Sequence, residues 1–147
     1  MKEINFYKYN RTFGIIAGLF SFVIFSLTVE PTASYWDCAE YISTSAKLQI
    51  GHPPGAPLFQ MLGAIFSILA FDVAQIAYAV NMMSVTSSAL TIMFLFWSIS
   101  LIAKEILKVK EIVKVSEAIK IFGASFLGSI TFTFTDSFWY NAVEAEV

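Results

Sequence analysis

Three stretches of this chain are long, apolar and free of charge, and they limit the fold before anything else is weighed. They read TFGIIAGLFSFVIFSLTV (Thr12–Val29), AYAVNMMSVTSSALTIMFLFWSISLIA (Ala77–Ala103) and IFGASFLGSITFTFT (Ile121–Thr135). A helix that crosses a bilayer needs about 20 mainly apolar residues, and hydrocarbon offers its backbone no outside hydrogen-bond partner. Charged residues make up 14% of the chain and hydrophobic residues 57%, with a mean hydropathy of +0.70. A water-soluble domain carries roughly 25% charge. The expected class is therefore an all-α polytopic membrane protein with about three transmembrane helices, near residues 12–29, 77–103 and 119–135. The basic residues before Thr12 would also suit a signal peptide, but EPTASYWD offers a poor cleavage site, which favours an anchored helix. Gly14 and Gly18 form a GxxxG pair suited to close helix packing.

A fourth apolar run, PLFQMLGAIFSILAF (Pro57–Phe71), rises only about 22 Å as a helix, short of a roughly 30 Å hydrocarbon core. Gln60, Gly63, Ser67 and Ala70 recur at helical spacing and give it one small, mildly polar face. Lysines cluster at Lys104, Lys108, Lys110, Lys114 and Lys120. Cytoplasmic segments collect Lys and Arg. If Pro57–Phe71 crossed, this cluster and the basic N-terminus would fall on opposite sides; lying along the interface, it leaves both in the cytoplasm. Eight of the nine basic residues are then inside, all but Lys47, and seven of the eleven acids are outside. The expected layout is an external loop over residues 30–76 with juxtamembrane interfacial helices, and a cytoplasmic loop over 104–118 folded as an amphipathic helix. The lack of a capping pattern after SFWYNAVEAEV suggests the N-terminal part of a longer protein.

The external loop concentrates the chemistry in SYWDCAEYISTSAKLQIGHPPGAPLF, Ser34 to Phe59. Ser34-x-x-Asp37 has the form of a helix start capped by the serine hydroxyl. A helix from about Tyr35 places Asp37, Glu40, Thr44 and Lys47 on one stripe. One carboxylate of such a pair can accept a proton from an attacking hydroxyl while the other tunes it. The pair can equally hold a divalent cation, or be two solvated acids near a helix N-terminus. In GHPPG the prolines fix φ and the glycines allow a sharp reversal, so His52 sits on a rigid elbow. There it can grip a phosphate, shuttle a proton, or simply bond to backbone. Glu144 and Glu146 return acids to the same face, and Trp139 and Tyr140 read as interface anchors. Cys38 reads as a small apolar residue; as the only cysteine it excludes an internal disulfide. A net charge of −2 with no basic stripe argues against nucleic acid.

Two segments carry a family resemblance. DCAEYISTSAKLQIGHPPGAPLF is similar to the first external loop of membrane glycosyltransferases of the GT-C superfamily, whose pattern reads D-x-G-E and then H-P-P-G. FWYNAVEAEV resembles the later W-x-x-A-x-x-A-E-V motif. Both point to the bacterial and vertebrate protein O-mannosyltransferase family, and Ala39 stands where the pattern has glycine. The resemblance implies transfer of a mannose-like sugar from a polyprenyl-phosphate donor to Ser or Thr hydroxyls of exported acceptor proteins. It implies Asp37 as catalytic base and Glu40 as the second acid. His52 matches the family histidine and Glu146 the acid of the later motif; with Lys47 and Glu144 they are candidate substrate-binding residues. No cofactor is required, with a divalent metal left open. The expected setting is a bacterial inner membrane, with the active site on the periplasmic face and the fragment alone inactive. The competing class is a non-enzymatic membrane protein, a transporter segment or scaffold. Transport paths place ionisable groups mid-span, and the three runs have none.

Overall fold

A computed structural model of the chain describes residues 3–35, 37–53 and 55–145. The helices are α1 (Phe6–Thr28), α2 (Cys38–Lys47), α3 (Pro57–Ser67), α4 (Ile76–Ile106), α5 (Val115–Thr133) and α6 (Asp136–Val143). A 3-10 turn, Val73–Gln75, leads into α4, and two short strands, β1 (Glu3–Asn5) and β2 (Ile112–Lys114), complete the described elements. Three helices are long and apolar enough to cross a membrane: α1, α4 with its 3-10 lead-in, and α5. The class is all-α, as the apolar runs require. α1 begins at Phe6 rather than near Thr12 because the Asn5 side chain accepts the Lys8 backbone N–H at 3.0 Å and caps it.

One compact unit comprises Met1–Ser21 and Ala89–Thr135. Here the lysine-rich connection departs from expectation: it forms no amphipathic helix. α4 stops at Ile106, Lys108 takes a left-handed conformation at φ 51°, and β2 follows. β2 pairs antiparallel with β1 in the register Glu3 with Lys114, Ile4 with Val113 and Asn5 with Ile112. β-branched Ile112 and Val113 suit a pleated ribbon, and Val113 turns inward to 2% exposure. The ribbon has a topological consequence. If α1 and α4 cross a bilayer, β1 and β2 share a side only when the segment between those helices adds no further crossing. On that condition α3 adds no crossing of its own.

Within this unit α1 packs on α4 through the expected glycine face. A Cβ on Gly14 would collide with the Trp97 indole, and one on Gly18 would lie 3.0 Å from the Met93 Cβ. Without a side chain at Gly14, the indole N–H reaches the Asn10 carbonyl at 3.0 Å. Ser100 Oγ donates to Asn10 Oδ1, and the Ser21 and Thr133 hydroxyls meet at 3.0 Å. Phe122 of α5 gathers the aromatic rings of Phe6, Phe13 and Phe96.

The second unit comprises Phe22–Ser88 and Asp136–Val147. Its core holds Phe25 against Phe138 and Trp139, with Val85, Ala142 and Val143. Trp139 is thus partly buried packing, and of the two aromatics read as interface anchors it is Tyr140 that stands exposed, at 67%. α2 and α3 form a helical hairpin. The small face of α3 finds its partner here: a Cβ on Gly63 would lie 2.6 Å from Ser45 Oγ, and Gln60 Nε2 donates to Thr44 Oγ1 at 3.3 Å. The Tyr41 and Phe59 rings close the contact at 5.2 Å. The opposite face of α3, with Leu58, Met61 and Ile65, stays exposed.

Candidate functional site

α2 starts at Cys38, later than the expected Tyr35, and its N-cap residue is Asp37. The Asp37 carbonyl accepts the Tyr41 N–H at 2.9 Å, and no side chain caps the helix. The expected cap, Ser34, is withdrawn from the helix: its hydroxyl is buried with no hydrogen-bond partner among the described residues. Asp37 and Glu40 thereby fall on the first turn, on the same face. At the other end of α2, Leu48 closes the helix in a left-handed conformation, its N–H bonded to the Ser45 carbonyl. The chain then turns back, so that Gly51 and His52 return to the first turn of the helix they have just left.

The return is tight. The His52 backbone N–H donates to Glu40 Oε1 at 2.6 Å, and ring Nδ1 lies 2.9 Å from Glu40 Oε2. A Cβ at position 51 would sit 3.1 Å from Glu40 Oε1 and 3.0 Å from Gln60 Nε2, so glycine is what lets the loop close on the carboxylate. The elbow continues with the Gly55 N–H on the His52 carbonyl at 2.8 Å, Gly55 being at φ 76°. Pro57 then opens α3 in its first turn. The second ring nitrogen, Nε2, faces Asp37 Oδ2 across 3.8 Å. Asp37, Glu40 and His52 thus meet in one cluster whose ligand-type atoms lie within 4.8 Å of one another, a set that could share a metal ion.

The electrostatics follow from the contacts. Two N–H donors hold Glu40 below its ordinary value of 4.5, the His52 backbone first and the ring second. The Glu40 hydrogen bond, then the charges of Glu40 and Asp37, raise His52 above 6.5. The arrangement favours an imidazolium between two carboxylates, open to solvent on one side. It presents one acid with a free face and one cation with a free N–H.

The other candidates take different places. Lys47 is exposed in the last turn of α2, about 10 Å along the helix axis from Glu40, and no ion pair joins it to the cluster among the described residues. Glu144 follows α6 and is half-buried between two pinned neighbours. The Val143 carbonyl accepts the Glu30 N–H at 2.9 Å, and the Ala145 N–H donates to Asn81 Oδ1 at 2.9 Å. Ala145 packs with Cys38 and Ile42, which brings the tail alongside α2. Glu146 lies outside the described residues.

Asn81 is the residue that sequence reasoning passed over. Fully buried in α4, it donates from Nδ2 to the Glu30 and Thr32 carbonyls at 2.7 and 2.9 Å while accepting from Ala145. It ties the exit of α1, the start of α4 and the tail into the frame that carries α2. Its signal was present: a single amide inside an apolar run must be satisfied internally.

Residues 37–147 match the family model described as the protein O-mannosyl-transferase TMEM260 N-terminal domain, so the matched region opens on Asp37. The chain is 26% identical over 126 residues, 85% of its length, to protein O-mannosyl-transferase tmem260 of Dictyostelium discoideum. It is 32% identical over 76 residues, 52% of its length, to protein O-mannosyl-transferase TMEM260 of Mus musculus. It spans 13% and 11% of those two proteins. No solved structure matches.

Proposed function

Because this chain belongs to the family of the protein O-mannosyl-transferase TMEM260 N-terminal domain, we propose that, at the full length of such relatives, it is a GT-C glycosyltransferase. It moves a mannose-like sugar from a polyprenyl-phosphate donor to Ser or Thr hydroxyls of exported proteins. The observation that carries the reading is the convergence of Asp37, Glu40 and His52 at the start of α2. An acceptor hydroxyl needs a base and a departing phosphate needs a cation or donor, and this cluster supplies both within one contact distance.

The reaction is an in-line displacement at the anomeric carbon. The acceptor oxygen bonds to that carbon as its proton passes to the Asp37 carboxylate. The bond from the carbon to the phosphate oxygen breaks, and its electron pair leaves with the lipid phosphate, which needs no proton at neutral pH. The His52 imidazolium lies on the phosphate side and offsets the growing charge, with Lys47, Glu144 and Glu146 as candidate contacts to the rest of the substrates. No step requires a cofactor.

The membrane setting belongs to the same proposal. The basic ribbon end faces the cytoplasm of a bacterial inner membrane, and the α2 cluster faces the periplasm. The exposed Leu58, Met61 and Ile65 face of α3 rests in the lipid interface. In this proposal the cluster lies at the depth of a lipid phosphate, a reading that the exposed apolar face of α3 supports.

The test is Asp37→Asn in a protein of the relatives' length, assayed for transfer from a lipid-linked mannose to an acceptor peptide. Loss of a general base lowers transfer about 10²–10⁴-fold with donor binding kept. A wild-type rate would overturn the assignment.

A further inference from the structure

We propose that Glu40 is a positioning residue that acts through His52, holding the imidazole so that Nε2 is the nitrogen presented to Asp37 and to substrate. This deepens the transfer reading and rests on it for its role in catalysis. The hydrogen-bond geometry itself stands without it.

Both oxygens of Glu40 are committed to one residue. Oε1 takes the His52 backbone N–H at 2.6 Å and Oε2 faces ring Nδ1 at 2.9 Å. Two anchors, one on the main chain and one on the ring, fix where His52 stands and how its ring is turned. The Glu40 side chain is also the least open of the three, 37% exposed against 52% for Asp37 and 49% for His52. A carboxylate that accepts from Nδ1 selects the tautomer with the proton on Nδ1, and the other nitrogen keeps its lone pair when the ring is neutral. That other nitrogen lies 3.8 Å from Asp37 Oδ2, too far for a direct hydrogen bond. Each is therefore left to a substrate group of its own: Asp37 touches the acceptor hydroxyl, His52 touches the donor phosphate, and Glu40 touches His52.

The sequence offers a clean probe, since His52 is the only histidine in the chain. The experiment is nitrogen-15 NMR of the imidazole in the full chain in detergent micelles, titrated with acid and without substrate. The expected wild-type result is a neutral ring protonated at Nδ1 and a midpoint above 6.5. Glu40→Ala loses the Nδ1–H preference and its midpoint moves down toward 6.5. Glu40→Gln has one acceptor oxygen for two donors; with that oxygen on the His52 backbone N–H its NH2 donates to Nδ1, so the neutral ring shifts to Nε2–H and also titrates lower than wild type. Asp37→Asn leaves the tautomer unchanged. Unchanged helical circular dichroism confirms that each variant is folded. A neutral wild-type ring protonated at Nε2, or a Glu40→Ala midpoint equal to wild type, overturns the proposal. Neither readout depends on sugar transfer, so a failure here is separable from a failure of Asp37→Asn in the transfer assay.

Discussion

In the ribbon-bearing unit, the buried polar side chains are used up. Asn10, Ser21, Ser100 and Thr133 are at most 6% exposed, and each closes on a partner within the unit. In the unit that carries α2, Asp37 and His52 keep about half of their side-chain surface open. Asn81, deep in the same unit, behaves like the first group. The contrast separates two uses of polarity in a mainly apolar protein. A buried polar group with every bond made fixes how helices meet, because leaving it unmade is expensive. An exposed cluster whose orientation is set from one side keeps bonding capacity on the other. Substitutions should therefore sort into those that cost stability and those that cost chemistry.

The largest effect is expected where no stability is at stake. Asp37→Asn removes an exposed carboxylate, so unfolding in detergent should stay within about 0.5 kcal/mol of wild type. The 10²–10⁴-fold loss of transfer corresponds to about 3–5 kcal/mol of barrier. Gly14→Leu is its mirror image. The new side chain meets the Trp97 indole and forces it off the Asn10 carbonyl. Overpacking together with a lost hydrogen bond predicts a loss of about 3 kcal/mol in a denaturant titration. Near-neutral stability in that variant would break the comparison.

Asn81→Leu tests whether a buried polar group in the site's own unit belongs with the structural class. It strands the Glu30 and Thr32 carbonyls and the Ala145 N–H, for an expected cost of about 2 kcal/mol. Hydrogen exchange should rise first at Ala145, whose amide loses its acceptor. An unchanged rate there would remove Asn81 from its role as a tie.

Legibility followed the range of the interactions. The spans were readable because a run free of charge is a local property of the chain, and the Gly14 and Gly18 face and the Gln60 and Gly63 face were readable because helical period is local too. The elbow at His52 was visible through its prolines and glycines. The grip of Glu40 on His52 was not, since it depends on α2 ending at a left-handed Leu48 and the chain turning back, which no periodicity encodes. Ser34 misled for a related reason. Its spacing to Asp37 fits a capping box, but Asp37 is itself the N-cap residue and the helix begins one position later. The lysine-rich segment was read as a helix from its alternating charge. Pairing with β1, far away in sequence, turned Ile112–Lys114 into a strand instead.

Gly51→Ala sharpens the comparison on a smaller scale. A methyl group at 3.1 Å from Glu40 Oε1 and 3.0 Å from Gln60 Nε2 makes the loop give by a few tenths of an ångström. The expected cost is about 1 kcal/mol or less, because the neighbours are side-chain ends that can shift. The His52 ring resonance should move while the circular dichroism does not. An unmoved ring would mean that the close approach of Gly51 does not set the clamp.

The smallest effect is a dependence on pH confined to the open cluster. The folded-state value of His52 is raised, so its share of the link is complete below 6.5 and is lost as pH rises through the raised value. Glu40 is lowered, so its share is complete above 4.5 and is lost as pH falls through the depressed value. Both are present together between 4.5 and 6.5, and the clamp should be tightest there. The protection factor of the His52 amide, corrected for intrinsic exchange, reads the clamp directly because that N–H is bonded to Glu40 Oε1. Protection should fall on both sides of the window, whereas the amides of α1 facing Trp97 should hold level, since no titrating group closes that contact. A His52 amide equally protected above and below the window would show that the exposed cluster is as static as the buried pins, and the distinction between the two units would fail.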